Sequence, residues 1–527
     1  MAGFCVAGLC LPVRAMNDAS LEGVPYTWGL YRELSPAHLN YTMVLGGYSP
    51  RPLDTGFTYL DLGCGNAVTV AALAECYPRA SFFGIDYEAA HIAAASELAA
   101  EAGIANLTLQ QADFAALDPA DYPDFDYIVL HGVYAWVDAP LRAAIRRFLQ
   151  AKLKPGGAAF VSYNALPGWA ALIPLRQAMI TQTAPMKADP ITSARAGVDY
   201  LNYLRAHGAA FFQDYPGAAQ YLDEIANQDI HYIAHEFFAG GHEPRYFTEV
   251  SGEMAEAGLE FAGNAETYMN FFDLAVPSEY QTLFRHIYTR EQFETSGDFI
   301  RNQRFRKDVY VKGRPDLNEA RQTELLADLT FGATAGAATF KRETQFPGIA
   351  LSYDAPAFEA VIGALDGGAK SVNAMKQMEG FAEFETEVLI DAVKFLSAGG
   401  QVLPFARESR APDDAALGAT RFTLPGGFNL AMLKRRLLDG SAIGFAAPGA
   451  GTGIEVSMAD ALYALCHAEA PADQVADWAF QRLIEAGKQL VDETGNEGGA
   501  IADAVRTFRD TRLAKFIELG ILAPAED

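Results

Sequence analysis

The amino-acid sequence predicts an α/β protein whose N-terminal part is built on a doubly wound parallel sheet. Two observations predict this fold. Short apolar runs alternate with helical patterns between residues 58 and 163, as parallel strands joined by crossover helices require. The first two runs end in acids, Asp61 and Asp86, and a glycine turn follows the first of them. Such a unit places a ligand over the carboxyl ends of the strands.

The elements follow in the order that such a sheet needs. A first helix is expected from Pro36, because Ser35 can cap it and the glycines at 46 and 47 can end it. Beyond Trp169 the pattern becomes mostly helical, and after about residue 320 helices mix with Gly- and Pro-rich turns. The last short helices suggest a small winged-helix-like unit. The predicted strands lie at 58–61, 81–85, 107–110, 126–130 and 158–163, and the helices between them at 68–76, 89–102 and 141–153.

The glycine turn indicates which ligand the sheet binds. A dinucleotide fingerprint starting at Gly63 would need a glycine at position 68, where valine stands. Asp61 instead suits a cationic amine, and Asp86 can accept the two hydroxyls of a ribose. The Asp-x-Gly-x-Gly pattern that ends at Gly65, together with Asp86, resembles class I S-adenosylmethionine (SAM)-dependent methyltransferases. The resemblance implies SAM as cofactor and S-adenosylhomocysteine as product.

The methyl acceptor is expected at the ends of the fourth and fifth strands, which run into residues 131–137 (HGVYAWV) and 162–169 (SYNALPGW). Four aromatic rings there can form a cage that binds an amine by cation–π contact. His131 is either a base or a cofactor contact, and Asn164 can accept a hydrogen bond from the amine. Each ring alone is more often core packing. The predicted catalytic residues are His131, Tyr134, Trp136, Tyr163, Asn164 and Trp169.

Further cofactor contacts follow from position in the chain. Asp113, after the third strand, can hold the adenine amino group while Phe114 packs on the ring, and Tyr26 and Tyr31 can fold over the cofactor as a lid. Cys64 is a small residue within the turn. The predicted cofactor-binding residues are Tyr26, Tyr31, Asp61, Gly63, Cys64, Gly65, Asp86, Tyr87, Asp113, Phe114 and His131.

Longer motifs carry a closer resemblance. Residues 131–137, 162–169, 235–238 (HEFF), 244–247 (PRYF) and 303–310 (QRFRKDVY) resemble bacterial methyltransferases with a methyltransferase regulatory domain. That family includes rickettsial protein-lysine methyltransferases that modify outer-membrane protein.

The resemblance implies a domain order and a function. It predicts a Rossmann-like SAM-binding domain (21–170), a helical regulatory domain (171–315) and an α+β C-terminal domain (316–527). The residues before them are expected to form a disordered tail (1–20), because Met16 can be the true start of the protein. It implies methyl transfer to protein lysine and allows a homodimer. Two alternatives stay open: an O- or N-methyltransferase for a small molecule or sugar, and a non-catalytic SAM-binding scaffold.

Composition restricts the partners. The net charge of −26 argues against nucleic acid, since phosphate binding relies on clustered Lys and Arg. The five cysteines form no CxxC pair, so neither a metal site nor a disulfide framework is predicted, and a cytoplasmic location is expected. The apolar first 13 residues are too short to span a bilayer and lack the basic start of a secretory signal.

Overall fold

The computed structural model describes residues 28–238, 240–440, 442–488 and 497–525. The predicted tail over residues 1–20 and the predicted contact Tyr26 lie outside the described residues. The described chain divides into two compact units, the first formed by residues 135–138 and 169–244 and the second by the remaining segments.

A seven-stranded sheet is the centre of the second unit, with the strand order β3-β2-β1-β4-β5-β7-β6. The first five strands are parallel, and β7 pairs antiparallel with both β5 and β6. The predicted α/β fold and its doubly wound parallel strands are confirmed. The strands are β1 (Thr58–Leu62), β2 (Ser81–Asp86), β3 (Leu107–Gln111), β4 (Phe125–Leu130), β5 (Leu153–Asn164), β6 (Leu259–Asn264) and β7 (Phe305–Lys312).

Helices connect these strands at the places that the sequence predicts. The Ser35 side chain accepts a hydrogen bond from the backbone of His38 at the start of the first helix, and the helix after the glycine turn begins at Val68. The helix before β1 is α1 (Pro36–Leu45), and the helices between the strands are α2 (Val68–Cys76), α3 (Ala89–Ala102) and α4 (Ala139–Lys152).

The first unit is helical. Its helices are α5 (Leu172–Thr183), α6 (Pro190–Ala206), α7 (Ala210–Asp214), α8 (Pro216–Ala226) and α9 (Ile230–Phe238). Helices α5 and α6 approach closely at Gly197, where an added Cβ would lie 2.9 Å from Met179. The core between these helices includes Leu175, Leu201 and Phe237.

Residues 245–312 belong to the sheet-containing unit and supply β6 and β7. This part also contains α10 (Phe247–Glu256), α11 (Phe272–Ala275) and α12 (Arg290–Arg301). The predicted domain boundaries stay predictions, but the compact units divide the chain at residue 245, inside the range that the sequence assigns to the helical regulatory domain.

The C-terminal region is a mixed α and β part of the second unit. The segment PGAGTG (448–453), expected as a surface loop, is instead the largely buried turn of a hairpin, and the Tyr77 hydroxyl donates a hydrogen bond to Gly451. The elements are α13 (Glu319–Asp328), β8 (Thr330–Gly332), β9 (Glu343–Gln345), β10 (Ala350–Ser352), α14 (Pro356–Asp366), β11 (Lys370–Ser371), α15 (Val372–Met375), α16 (Thr386–Ala398), β12 (Leu403–Phe405), α17 (Asp414–Leu417), β13 (Phe422–Thr423), α18 (Phe428–Arg436), β14 (Ala442–Ala447), β15 (Thr452–Ser457), α19 (Met458–Glu469), α20 (Val475–Glu485), α21 (Glu497–Thr511), α22 (Leu513–Glu518) and β16 (Ala523–Pro524).

Candidate active site

A tight glycine turn joins β1 to α2. Gly63 and Gly65 have φ angles of 87° and 52°, a region that glycine enters without steric cost. The Gly63 amide donates to the carbonyl of Ile85 at 2.7 Å, and a Cβ on Gly63 would lie 2.3 Å from a methyl group of Val133. Ala67 occupies the left-handed region at φ 56°, where a third glycine is common in the family that the turn resembles. The turn is therefore held against the end of β2, since the amides of both Gly63 and Cys64 donate to Ile85.

Asp86 lies at the end of β2 and is held by three donors. Its Oδ2 accepts a hydrogen bond from the Gly65 amide at 2.8 Å, and its Oδ1 accepts one from the Glu88 amide at 2.9 Å and contacts Nδ1 of His91 at 3.1 Å. Burial alone would raise the pKa of Asp86, but the hydrogen bonds from His91 and the Glu88 amide lower it below the ordinary value. Asp86 is thus an ionised and oriented acceptor, and Oδ2 keeps a lone pair for a ligand hydroxyl.

Asp61, at the other side of the turn, is a buried acid without a counter-charge. It is 5% exposed, and burial together with the negative charge of Asp86 raises the pKa of Asp61 to about 7. No donor to its carboxylate is found in the described part of the chain. A buried carboxylate of this kind is stabilised by a cationic ligand. The observation fits the ammonium group of a SAM molecule, with Asp86 left for the ribose.

A cavity above the turn brings residues from three segments of the second unit together. Tyr31 covers one side: its amide donates to the Thr69 hydroxyl at 3.1 Å, and its ring lies 3.9 Å from the ring of His131, measured between centroids. Tyr31 thus lines the cavity, and its role as a lid over the cofactor stays a prediction. The cavity is lined by Gly29, Tyr31, Leu34, Asp61, Gly63, Cys64, Asn66, Val68, Thr69 and His131.

His131 lies in this cavity as a neutral ring. Burial lowers the pKa of His131 to about 4. The hydroxyl of Ser162 accepts a hydrogen bond from the Gly132 amide at 2.8 Å and contacts Nδ1 of His131 at 3.1 Å. A hydroxyl that accepts from Gly132 can still either donate to Nδ1 or accept from it, so this contact is compatible with both neutral tautomers of His131. The lowered pKa makes this ring a weak base, which favours cofactor contact over the role of a base.

Three further predicted cofactor contacts lie at or beyond the edge of the cavity. Tyr87 is 64% exposed. Asp113 is exposed and accepts a hydrogen bond from the Ala115 amide at 2.9 Å, so one of its oxygens already caps a short turn. Phe114 is buried, and its ring lies 3.9 Å from the Cβ position of Gly63. Roles for Asp113 and Tyr87 in adenosine binding stay predictions, and Phe114 is placed closest to the turn.

The predicted aromatic cage is divided between the two units. Tyr134 and Tyr163 belong to the second unit and are fully buried. The Tyr134 hydroxyl bonds to Glu253, and the Tyr163 hydroxyl donates to Asp308 at 2.7 Å. With their rings buried and their hydroxyls bound to carboxylates, we assign both tyrosines a structural role in place of the predicted cage.

Asn164 is also an interior residue. It is 3% exposed, and its carbonyl oxygen accepts a hydrogen bond from the Arg245 amide at 2.9 Å. This bond continues the edge of β5, so the backbone of Asn164 has a clear structural role. A side-chain contact of Asn164 with an acceptor amine stays a prediction.

Trp136 and Trp169 belong to the helical first unit and enclose a histidine. The ring of His242 lies 4.3 Å from each indole, measured between centroids, and burial lowers the pKa of His242 to about 3. The space between these two tryptophans is therefore filled by a neutral imidazole, which the sequence did not suggest.

Several functional positions were missed from the sequence. Asn66, Val68 and Thr69 line the cavity, and a signal existed for them, because the first turn of the helix after a glycine turn faces the ligand in this kind of fold. His91 and Ser162 had no signal, since each acts through a contact that only the fold creates. No group of three or more potential metal ligands occurs in the described residues. No helix within that part of the chain is both long and apolar enough to cross a membrane.

Comparisons with known proteins find two domain families in this chain. A family model for a methyltransferase domain matches residues 53–233, and a model for a predicted methyltransferase regulatory domain matches residues 229–312. An uncharacterized protein of Synechocystis is 29% identical over 96% of this chain and 99% of its own length. A second uncharacterized protein, from Rickettsia prowazekii, is 29% identical over 45% of this chain and 93% of its own.

A solved structure has the same fold over nearly the full length. PKMT2 from Rickettsia typhi, determined in complex with S-adenosylhomocysteine (AdoHcy), aligns with a TM-score of 0.72 at 18% identity over 95% of this chain and 100% of that one. The turn, the two acids and this fold define a class I methyltransferase domain. The chain is a SAM-dependent methyltransferase that carries a methyltransferase regulatory domain. In it Asp86 and Asp61 would hold the cofactor, which supplies an activated methyl group.

Proposed function

We propose that this enzyme methylates lysine side chains of proteins. The support is the combination of the cofactor cavity around Asp61 and Asp86 with motifs that resemble rickettsial protein-lysine methyltransferases. The fold likeness to PKMT2 over 95% of the chain is compatible with the same substrate class. The buried, unpaired Asp61 beside the glycine turn supports the cofactor site, and the observation that carries lysine as the acceptor is the motif resemblance over residues 131–137, 162–169, 235–238, 244–247 and 303–310.

The acceptor nitrogen must lose a proton before it can accept a methyl group, because free lysine has a pKa of about 10.4. His131 is a poor base for this step, since its pKa is near 4. Burial of the amine lowers the lysine pKa, and the positive charge of the donor acts in the same direction. We therefore assign loss of the proton to water before the amine is enclosed, and a positioning role to His131.

A labelling experiment tests the substrate class. The enzyme is incubated with deuterated-methyl SAM and proteins from a bacterial extract, and modified residues are located by peptide mass spectrometry. Mass gain on lysine supports the proposal. Mass gain only on carboxyl or hydroxyl groups, or only on small molecules, would contradict it. The matched control is Asp86→Asn, which keeps the shape of the side chain but loses the charge that we assign to ribose binding.

The small-molecule alternative has weaker support. A trans-aconitate 2-methyltransferase from Azoarcus is 33% identical, but only over 106 residues that cover 20% of this chain and 38% of that protein. A match of that extent bears on cofactor binding and leaves the acceptor open. The scaffold alternative predicts no methyl transfer to any substrate, and the same labelling experiment separates it from the proposal. A cytoplasmic location, a homodimer and the lack of a nucleic-acid partner stay predictions from the sequence.

A further inference from the structure

A second cavity lies in the same unit as the cofactor site. Its volume is about 290 Å³, close to the lower end for small-molecule sites. It is built from the segment before β1, the end of α2 and the segment after β12. The lining residues are Leu53, Asp54, Thr55, Phe57, Cys76, Tyr77, Pro78, Arg79, Ala80, Ala406 and Arg407.

The floor of this cavity is apolar. Phe57, Tyr77 and Ala80 are each 4% exposed and Cys76 is 1% exposed. The Tyr77 hydroxyl is used by Gly451, and the Cys76 thiol points to the carbonyl of Thr452 at 3.5 Å. Both polar side chains of the floor are thus satisfied within the protein. The floor offers a ligand mainly hydrophobic contact.

The rim carries two arginines, Arg79 and Arg407, both exposed. Neither guanidinium has a carboxylate within 4.0 Å in the part of the chain that the structure describes, although the protein carries 66 acids against 40 Lys and Arg. Arg407 uses one nitrogen for the carbonyl of Cys76 at 3.3 Å and keeps its remaining donors. The planar guanidinium group of arginine can bind a carboxylate or phosphate group through two parallel hydrogen bonds.

Two features act against an anion at this place. Asp54 lines the cavity, and the carbonyl end of α2 carries a partial negative charge of about half a unit. The bond from Arg407 to the carbonyl of Cys76 offsets part of that dipole. Two full positive charges against one acid and a partly neutralised dipole leave a net positive rim.

The second cavity and the cofactor cavity lie at opposite ends of α2. Val68 and Thr69 at the start of this helix line the cofactor cavity, and Cys76 at its end lines the second one. Nine residues of helix separate the two by about 13 Å. Because the lining sets share no residue, a ligand in the second cavity does not compete directly for the cofactor site.

We propose that this second cavity is a binding site for a small amphipathic anion, with an apolar body on Phe57 and Tyr77 and a carboxylate or phosphate between Arg79 and Arg407. The site is independent of the methyl acceptor.

Benzoate and phenyl phosphate are suitable probes, with benzamide as the neutral analogue of the same shape. Calorimetric titration of the full chain, saturated with S-adenosylhomocysteine, should show one benzoate or phenyl phosphate site per chain and at least tenfold weaker binding of benzamide. Arg79→Gln and Arg407→Gln should each weaken binding of the anions about tenfold, as loss of one charge-assisted contact of about 1.4 kcal/mol predicts. Arg147→Gln, at an exposed position of α4, is the matched control and should leave the affinity unchanged.

Several results would overturn the proposal. They are equal binding of benzoate and benzamide, equal affinities in Arg407→Gln and Arg147→Gln, or binding that S-adenosylhomocysteine abolishes. Each variant is also titrated with S-adenosylhomocysteine alone. Unchanged cofactor affinity shows that the variant is folded, so that loss of anion binding can be assigned to the cavity.

Discussion

At the scale of single residues, the two acids at the strand ends differ in charge state although they share one site. Asp86 is bound by three donors and has a lowered pKa, whereas Asp61 has a pKa of about 7. The difference arises because β2 ends beside backbone amides and His91, while Asp61 faces the cavity. Asp61 is therefore the group whose charge responds to the cofactor.

This difference predicts a proton linkage in cofactor binding. A bound ammonium group lowers the pKa of Asp61, so binding releases a proton wherever the free enzyme holds one, which is below about pH 7. Affinity for S-adenosylhomocysteine should rise with pH up to about 7 and then level off, with a slope of log affinity against pH near one on the acid side. Calorimetry between about pH 5.5 and pH 7.5 measures this, and buffers of different ionisation enthalpy report the released proton.

Asp61→Asn provides the control for this linkage. The amide keeps the shape but cannot ionise, so this variant should bind more weakly at pH 7.5 and show a flat profile. A profile with the same slope in the variant would assign the linkage to another group.

At the scale of elements, the catalytic sheet and the C-terminal region meet where the β14–β15 turn packs on α2. Gly451 lies in this turn at φ 71°, and a Cβ there would come within 2.4 Å of Ala406 and 2.6 Å of the Tyr77 hydroxyl. The glycine is required twice, for its backbone conformation and for the close approach. The hairpin is thus fitted to the end of α2.

A pair of glycine substitutions separates these two requirements. Gly451→Ala should lower the free energy of unfolding by about 2–4 kcal/mol, because it adds overpacking to the left-handed backbone. Gly103→Ala has a similar φ of 67° but no atom within 4 Å of the new Cβ, so it should cost only about 1 kcal/mol. Urea unfolding of both variants gives the comparison. Equal losses would show that the hairpin turn is not tightly packed on α2.

A buried arginine forms ion pairs with three acids at the antiparallel edge of the sheet. Arg306 of β7 is fully buried and bonds to Glu294 at 2.9 Å, Asp298 at 2.6 Å and Asp308 at 2.9 Å. Burial raises the pKa of Asp298 to about 6 and also raises the pKa of Asp308. The arginine is the charge that keeps these acids ionised inside the protein.

Arg306→Met should therefore destabilise the protein in a pH-dependent manner. Loss of the cation leaves buried carboxylates and costs about 3–5 kcal/mol at neutral pH. The folded-state pKa values of Asp298 and Asp308 then rise further above the unfolded value of about 4. The loss of unfolding free energy in this variant is complete above the folded-state pKa values of the two acids. It shrinks as the pH falls toward about 4, where the acids are protonated in the folded and the unfolded state. Urea unfolding at about pH 5 and pH 8 tests this.

Arg314→Met is the matched control, because Arg314 is 91% exposed and its loss should change stability by less than about 0.5 kcal/mol. If Arg306→Met loses the same unfolding free energy at both pH values, the carboxylates do not change their protonation between the folded and the unfolded state.

The parts that the sequence predicts well are those whose causes are local. The helix Val68–Cys76 and the strand ending at Asp86 match the expectation, because glycine, apolar periodicity and a terminal acid stand next to one another in the chain. In the pairing of β5 with β7, Asn164 lies opposite Phe305. No local sequence pattern predicts that a strand pairs with another one so far away in the chain. The structural role of Tyr163 could not be predicted for the same reason, since the partner of its hydroxyl, Asp308, lies 145 positions away in the chain.

At the scale of the whole molecule, the excess of acids sets a long-range field. The net charge of −26 attracts cations and repels acidic partners over about a Debye length, which is near 8 Å at physiological ionic strength. A protein acceptor presents its target lysine within a charged sequence. The field therefore acts on the surroundings of that lysine as well as on the lysine itself.

The proposed activity should consequently depend on salt in a manner set by the acceptor. We expect kcat/KM for a peptide whose target lysine is flanked by Lys and Arg to fall several-fold between about 20 mM and 300 mM salt, because screening removes the attraction. A peptide with the same target lysine flanked by Asp and Glu should show the opposite trend from a lower starting value. Steady-state methylation of the two peptides at saturating SAM measures the difference, with the cofactor held constant as an internal control. Parallel salt dependence for both peptides would mean that local contacts outweigh the net charge in acceptor selection, and the acceptor site would then have to carry positive groups that oppose the field of the molecule.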